Sequence, residues 1–144
     1  PGEMVAQPFG GDRLTLIAPV DSSIPENVSL RQVLEYPLLL REPGSAGRAA
    51  FDRLLQEHGL NVEPAWESVS TQALVRAVAA GLGVAVLPDA LVRGDIDAGR
   101  VRECHIEGVR MERTYVIARH KHKYLTSCAK RFIEICTAKN FDAQ

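Results

Sequence analysis

The chain has 144 residues, 46% hydrophobic and 24% charged, with 17 basic against 18 acidic side chains for a net charge of −1. That length suits one compact domain or two small lobes, and the composition excludes a disordered or fibrous chain. The near-cancelling charge argues against a whole-chain electrostatic grip on nucleic acid, and no apolar stretch is long enough to span a bilayer.

Residues 14–20 read as a buried strand, because the apolar run is short and includes Thr15, Ile17 and Val20. Pro19 belongs at its end, since proline cannot donate to a ladder. Residues 21–27 are polar and contain Pro25, the signature of a linker. Ser29 is placed to cap a short helix over 30–35. Residues 37–41 read as a second buried strand that ends in a sharp turn at Glu42, Pro43, Gly44 and Ser45. Phe51, Leu54, Leu55 and His58 then recur at helical spacing, which predicts a helix over 46–58 stopped by Gly59. A strand over 62–69 contains Trp66. Ser70 caps the helix after it, whose inner face is Leu74, Val75, Val78 and Ala79 and which ends at Gly81. Residues 83–87 form another buried strand, closed by Pro88. Strand and helix alternate from 37 to 87, the pattern of a parallel α/β sheet with helical crossovers. The segment 89–100 reads as turn-rich, with one helical turn at 89–93. Strands are expected over 101–106 and 111–119. Thr126 or Ser127 caps a last helix that carries Ala129, Phe132, Ile133 and Cys136 at helical spacing.

Chemistry-bearing motifs are sparse. Cys104, Cys128 and Cys136 are an odd number with no CxxC. Cys128 and Cys136 lie about 12 Å apart on one predicted helix, too far for a disulfide. Reduced, buried thiols in the cytoplasm are the expectation, and no secretory signal pattern opens the chain. Residues 1–109 carry 9 basic and 15 acidic side chains, a net −6, whereas 110–131 carry 7 basic and 1 acidic, a net +6. The basic stretch includes His120 and His122, but no thiol or carboxylate stands at a metal-site spacing from them, so no metal is expected. Ser45 is not in a nucleophile elbow, there is no Walker A loop, and Gly81 and Gly83 enter a strand instead of opening a helix. No acid, base or nucleophile of an enzyme is assigned, and no cofactor is implied.

What remains is binding geometry. Ligands of open α/β sheets sit beyond the carboxyl ends of the strands. Two predicted helices start at such ends with small hydroxyl residues, one at Gly44 and Ser45, the other at Ser68, Ser70 and Thr71. Free amide donors and the positive end of a helix dipole suit a carboxylate or other small anion. Arg41 can add a charge-assisted contact. The competing reading makes each serine a helix cap and Arg41 an ion pair with Glu42 or Glu67.

Residues 36–48, from Tyr36-Pro37-Leu38 through Arg41-Glu42-Pro43-Gly44-Ser45 to Arg48, are similar to the start of the second lobe in LysR-type transcriptional regulators. Residues 74–88, from Leu74-Val75 through Gly81-Leu82-Gly83 to Leu87-Pro88, resemble that family's most recognisable stretch. The order and spacing of these motifs, with a strand before them and a basic strand and helix after them, extend the likeness from about residue 12 to 138. The resemblance implies an α/β fold of the periplasmic-binding-protein type 2 kind, with the second lobe complete over 22–108 and the first only partly present. Residues 1–21 would end the first lobe and form a connecting strand, and 109–144 would return to it. It implies a sensor that binds a small, anionic effector between two lobes and signals to DNA only through an N-terminal winged helix-turn-helix absent here. A complete sensor domain of this kind needs about 200 residues, so uncovered lobe faces point to a homodimer or higher homo-oligomer. Arg41, Gly44, Ser45, Ser68, Ser70 and Thr71 are the expected ligand contacts. A periplasmic solute-binding protein of the same fold is the alternative, and an enzyme such as a dehydratase or transferase a third reading.

Overall fold

A computed structural model describes residues 3–138. Its elements in chain order are β1 (Met4–Ala18), β2 (Asn27–Val28), α1 (Leu30–Val33), β3 (Leu39–Arg41), α2 (Ala46–Glu57), β4 (Trp66–Ser68), α3 (Thr71–Ala79), β5 (Ala85–Pro88), α4 (Asp89–Asp97), β6 (Arg102–Ile106), β7 (Glu112–His120) and α5 (Ser127–Ala138). They fall into two compact units. One is Arg13–Met111, and the other joins residues 3–12 to 112–138.

In the Arg13–Met111 unit, β1 lies between β5 and β6 and is antiparallel to both. The two-residue β2 runs parallel to β6. Parallel pairing continues on the other side. Leu38 bridges Val84, and β3 pairs in parallel with β4 in a register that sets Arg41 opposite Ser68. The expected alternation of parallel strands and crossover helices from 37 to 87 is therefore present.

Helices cover both faces of this sheet, and the strand residues alternate between them with period two. Leu14, Leu16, Leu38, Leu40, Val84 and Val86 pack into one core with Leu30 and Val33 of α1 and Phe51 and Leu55 of α2. Ile17, Leu39, Ala85 and Leu87 point the opposite way and pack with Leu74, Val75 and Val78 of α3 and Val92 of α4. Burial on both faces is why these strands appear as nearly unbroken apolar runs in the sequence. Ser29 caps α1 with a full capping box: its hydroxyl accepts from the Gln32 N–H, and the Gln32 side chain accepts from the Ser29 N–H.

Gly83 permits a close backbone approach in this sheet. A Cβ there would lie 2.2 Å from the Pro37 carbonyl oxygen. That oxygen already accepts the Val84 N–H at 2.9 Å, so it cannot move aside without breaking the bond between the two segments. Gly83→Ala is expected to cost about 1–3 kcal/mol. A lower urea midpoint with an unchanged slope would show it, and an unchanged midpoint would mean that this approach relaxes freely.

In the other unit β7 pairs with β1. Gly11 lies against the Arg113 backbone, and the Glu3 carbonyl accepts from the Lys121 N–H at 2.7 Å, so the two segments run antiparallel. Asp12 accepts from Arg113 and from the Tyr115 hydroxyl. On α5, the Thr126 hydroxyl accepts from the Ala129 N–H, as a cap should.

Four expectations need correction. β1 starts at Met4, ten residues before the predicted strand; this stretch has no apolar alternation, and backbone pairing with β7 makes it a strand. β4 is only Trp66–Ser68, an edge segment exposed at Trp66. The helical turn at 89–93 is a full helix to Asp97, so Asp95 and Asp97 are helical. Asp89 favours its first turn through the helix dipole, and Val92 and Ile96 pack one turn apart. The buried-thiol expectation holds for Cys104 alone, since Cys128 is exposed and Cys136 half-buried. No residue of α5 is buried, and Phe132 is 63% exposed.

Candidate functional site

Because β3 and β4 are adjacent and parallel, their carboxyl ends lie side by side, and α2 and α3 begin a few residues beyond them. The first-turn amides of both helices therefore belong to one end of the sheet. Gly44, with φ of +97°, makes the reversal between β3 and α2 in a conformation that L side chains rarely adopt.

The predicted residues fall into three groups. Arg41 and Thr71 meet directly: Arg41 Nη1 donates to the Thr71 hydroxyl at 3.0 Å. Ser68 stands opposite Arg41 in register, and its hydroxyl accepts the Ser70 N–H at 3.1 Å. Ser70 is a working cap whose hydroxyl accepts the Ala73 N–H at 3.2 Å. Ser45 occupies the cap position of α2, yet its hydroxyl makes no cap bond. Neither it nor Gly44 has a side-chain bond to the other four. Thus the cap reading describes Ser70, while the Ser45 hydroxyl is not used that way.

Of the two ion pairs left open by the sequence for Arg41, the one with Glu42 forms and the one with Glu67 does not. Arg41 does pair with Glu42, as a fork: Nε donates to Oε2 at 2.8 Å and Nη2 to Oε1 at 3.0 Å. Those bonds hold the Glu42 carboxyl below its ordinary range. Glu67 pairs instead with Arg48 at 2.6 Å. Sequence reasoning gave Arg48 no role, yet its side chain is only 10% exposed and ties three elements together. Its Nη1 also donates to the Arg41 carbonyl at 2.9 Å, and its Nε donates to Asp52 one turn along α2. Burial would lower the Arg48 pKa, but the bonds it donates to Glu67 and Asp52 outweigh it and hold the guanidinium charged. The i,i+4 spacing of Arg48 and Asp52 was the available signal; the bonds to Arg41 and Glu67 were not readable from local spacing. Two guanidinium groups here face the carboxylates of Glu42, Asp52 and Glu67, so the cluster is not a bare cationic patch.

Two other features of this unit lie elsewhere. A hollow of about 660 Å³ is lined by Val20, Ser22, Ala80, Gly81 and Arg100 among others, at the opposite end of α3 from Thr71, and includes none of the predicted residues. Asp89 collects Arg13 at 2.9 Å, the buried Thr15 hydroxyl at 2.7 Å, and Arg93, while Glu103 pairs with both arginines. Burial works to raise the Asp89 carboxyl, but the bonds from Arg93 and Thr15 prevail and hold it below the usual 3.8. Arg113 and Tyr115 do the same for Asp12 in the other unit. A carboxyl depressed on folding adds stability that is complete above its unfolded value and lost as pH falls through the lower folded one. Urea midpoints are therefore expected to fall below about pH 4. Asp89→Asn should flatten that acid limb, and an identical limb in the variant would remove Asp89 as a contributor.

Among the described residues no three His, Cys, Asp or Glu side chains are grouped to hold a metal ion. His120 and His122 have ring centroids 5.7 Å apart, and His120 Nε2 bonds Glu3 at 2.6 Å. No helix among the described residues is long and apolar enough to cross a membrane.

The fold defines a class. The regulatory domain of CcmR from Synechocystis PCC6803, solved in complex with 2-PG, superposes with a TM-score of 0.84 at 23% identity, over 98% of this chain and 69% of that one. The effector-binding domain of QuiR in complex with shikimate gives 0.80 at 16% identity, over 95% and 65%. The architecture is thus the periplasmic-binding-protein type 2-like α/β fold of effector-binding domains. A family model described as the LysR substrate binding domain matches residues 1–140, and the chain belongs to that family. It is also 31% identical over 139 residues to the HTH-type transcriptional regulator YeiE of Escherichia coli K12, covering 96% of this chain and 47% of that protein. The chain therefore spans about half the length of the curated relatives it matches. YeiE is named as a transcriptional regulator, not as a solute-binding protein.

Proposed function

We propose that this chain is the effector-sensing part of a LysR-type transcriptional regulator. In this reading it binds a small anionic metabolite at the carboxyl ends of β3 and β4, with contacts from Arg41, Gly44, Ser45, Ser68, Ser70 and Thr71. Residues 22–108 act as the second lobe, while 1–21 and 109–144 lead from and back to the first. Occupancy is passed to a separate winged helix-turn-helix that holds DNA, in a cytoplasmic homodimer or higher homo-oligomer without catalytic activity. The observation that carries the reading is the direct bond from Arg41 to Thr71, which joins the end of one parallel strand to the helix start beyond its neighbour.

A thermal-shift screen of small carboxylates and phosphate esters, shikimate and 2-PG included, tests it. A ligand at a hundredfold excess over its Kd adds about 2.7 kcal/mol to folding and raises the midpoint by several degrees. Ser45→Ala and Ser70→Ala are expected to weaken that shift in the whole regulator. An undiminished shift in both variants removes the helix-start site.

A further inference from the structure

Resting on that anion site, we propose that the Glu42 carboxylate is an internal competitor for the effector, seated on the fork of Arg41 that an effector carboxylate or phosphate uses, and that it sets the concentration at which the site fills. A guanidinium presents parallel N–H donors whose spacing matches two oxygens of one carboxylate. In this structure that pair of donors, Nε and Nη2, is filled by the two oxygens of Glu42. Thr71 takes a donor from Nη1, so a ligand seeking a bidentate grip meets an occupied edge.

The surroundings make Glu42 the group that yields. Arg41 stays in place without it, because Thr71 holds Nη1 and Arg48 holds the Arg41 carbonyl. The other two carboxylates of the cluster, Asp52 and Glu67, are engaged by Arg48. Glu42 precedes the Pro43–Gly44 turn, and its side chain is 33% exposed against 23% for Arg41, so its carboxylate already borders the solvent into which it would turn. An anion that arrived while Glu42 remained would meet like charge at contact distance. A glutamate carboxyl is ionised at neutral pH and the bonds to Arg41 lower its pKa further, so displacement rather than protonation clears the fork. Exposed pairs of this kind are weak, and their loss corresponds to about a fivefold gain in affinity for the anion.

The test follows the Arg41 side-chain Nε–H resonance in the 15N-labelled 144-residue chain at constant ionic strength. Shikimate and inorganic phosphate are titrated separately into the wild type, Glu42→Gln and Glu42→Ala. The expected result is a half-saturation point about fivefold lower in both variants for at least one probe. An equal or higher half-saturation in the variants overturns the competitor role and leaves the Arg41 site standing. An Arg41 resonance that moves with neither probe in any of the three proteins removes the Arg41 site and the competitor together.

Discussion

Replacing Phe51 with alanine is expected to lower the unfolding free energy by about 3–5 kcal/mol. Phe51 is 1% exposed on the inner face of α2 and belongs to the core that includes Leu38, Leu40, Val84 and Val86. Truncation removes the transfer energy of the ring and leaves a cavity that strand backbones cannot close. Against a total stability of about 5–15 kcal/mol for an ordinary domain, this is a large fraction. The thermal midpoint should drop by more than about 10 °C, read by far-ultraviolet circular dichroism. Phe51→Leu keeps most of the volume and should cost less than about 1.5 kcal/mol. A loss below about 1 kcal/mol for the alanine variant would show that α2 does not pack on this face. The consequence reaches the site, because α2 also carries Arg48, whose bonds steady the ends of β3 and β4.

Arg41→Ala is expected to weaken binding of whichever anion the thermal-shift screen identifies by about 10- to 100-fold, the worth of one charge-assisted contact of about 1.5–3 kcal/mol. Arg41→Lys should recover little of this, since an ammonium is a point charge and cannot offer parallel donors to two oxygens. Calorimetric titration of the two variants beside the wild type measures both. Wild-type affinity in Arg41→Ala would move the site elsewhere, and the hollow beside Ala80 and Arg100 would be the next to probe. The two predictions separate cleanly. Phe51 acts through folding and should change the midpoint without ligand, whereas Arg41 is only partly buried at a strand end and should act chiefly on the ligand-dependent shift.

Much of the layered architecture was legible because the sheet is buried on both faces. Apolar runs such as 38–40 and 84–87 mark strands wherever both sides must leave water. Helix starts were legible for a different reason: Ser29 and Ser70 sit just before an amphipathic period, and each hydroxyl accepts a first-turn N–H in the structure. The parts that escaped lack such local signals. The stretch Met4–Asp12 is a strand through its backbone partner and has no alternation of its own. α4 runs past its first turn because Val92 and Ile96 find a tertiary surface to cover.

By itself the sequence determined which runs must be buried, where α2 and α3 begin, and that small hydroxyl residues and Arg41 cluster near strand ends, all through patterns within about a dozen residues. Only the tertiary structure decided that Arg41 takes Glu42 and Thr71 while Glu67 goes to Arg48, a half-buried arginine tying α2 to both strand ends. The physical reason is that several carboxylates lie within chain reach of each arginine. The choice among them depends on which strands pair in parallel and on the register that sets Arg41 opposite Ser68.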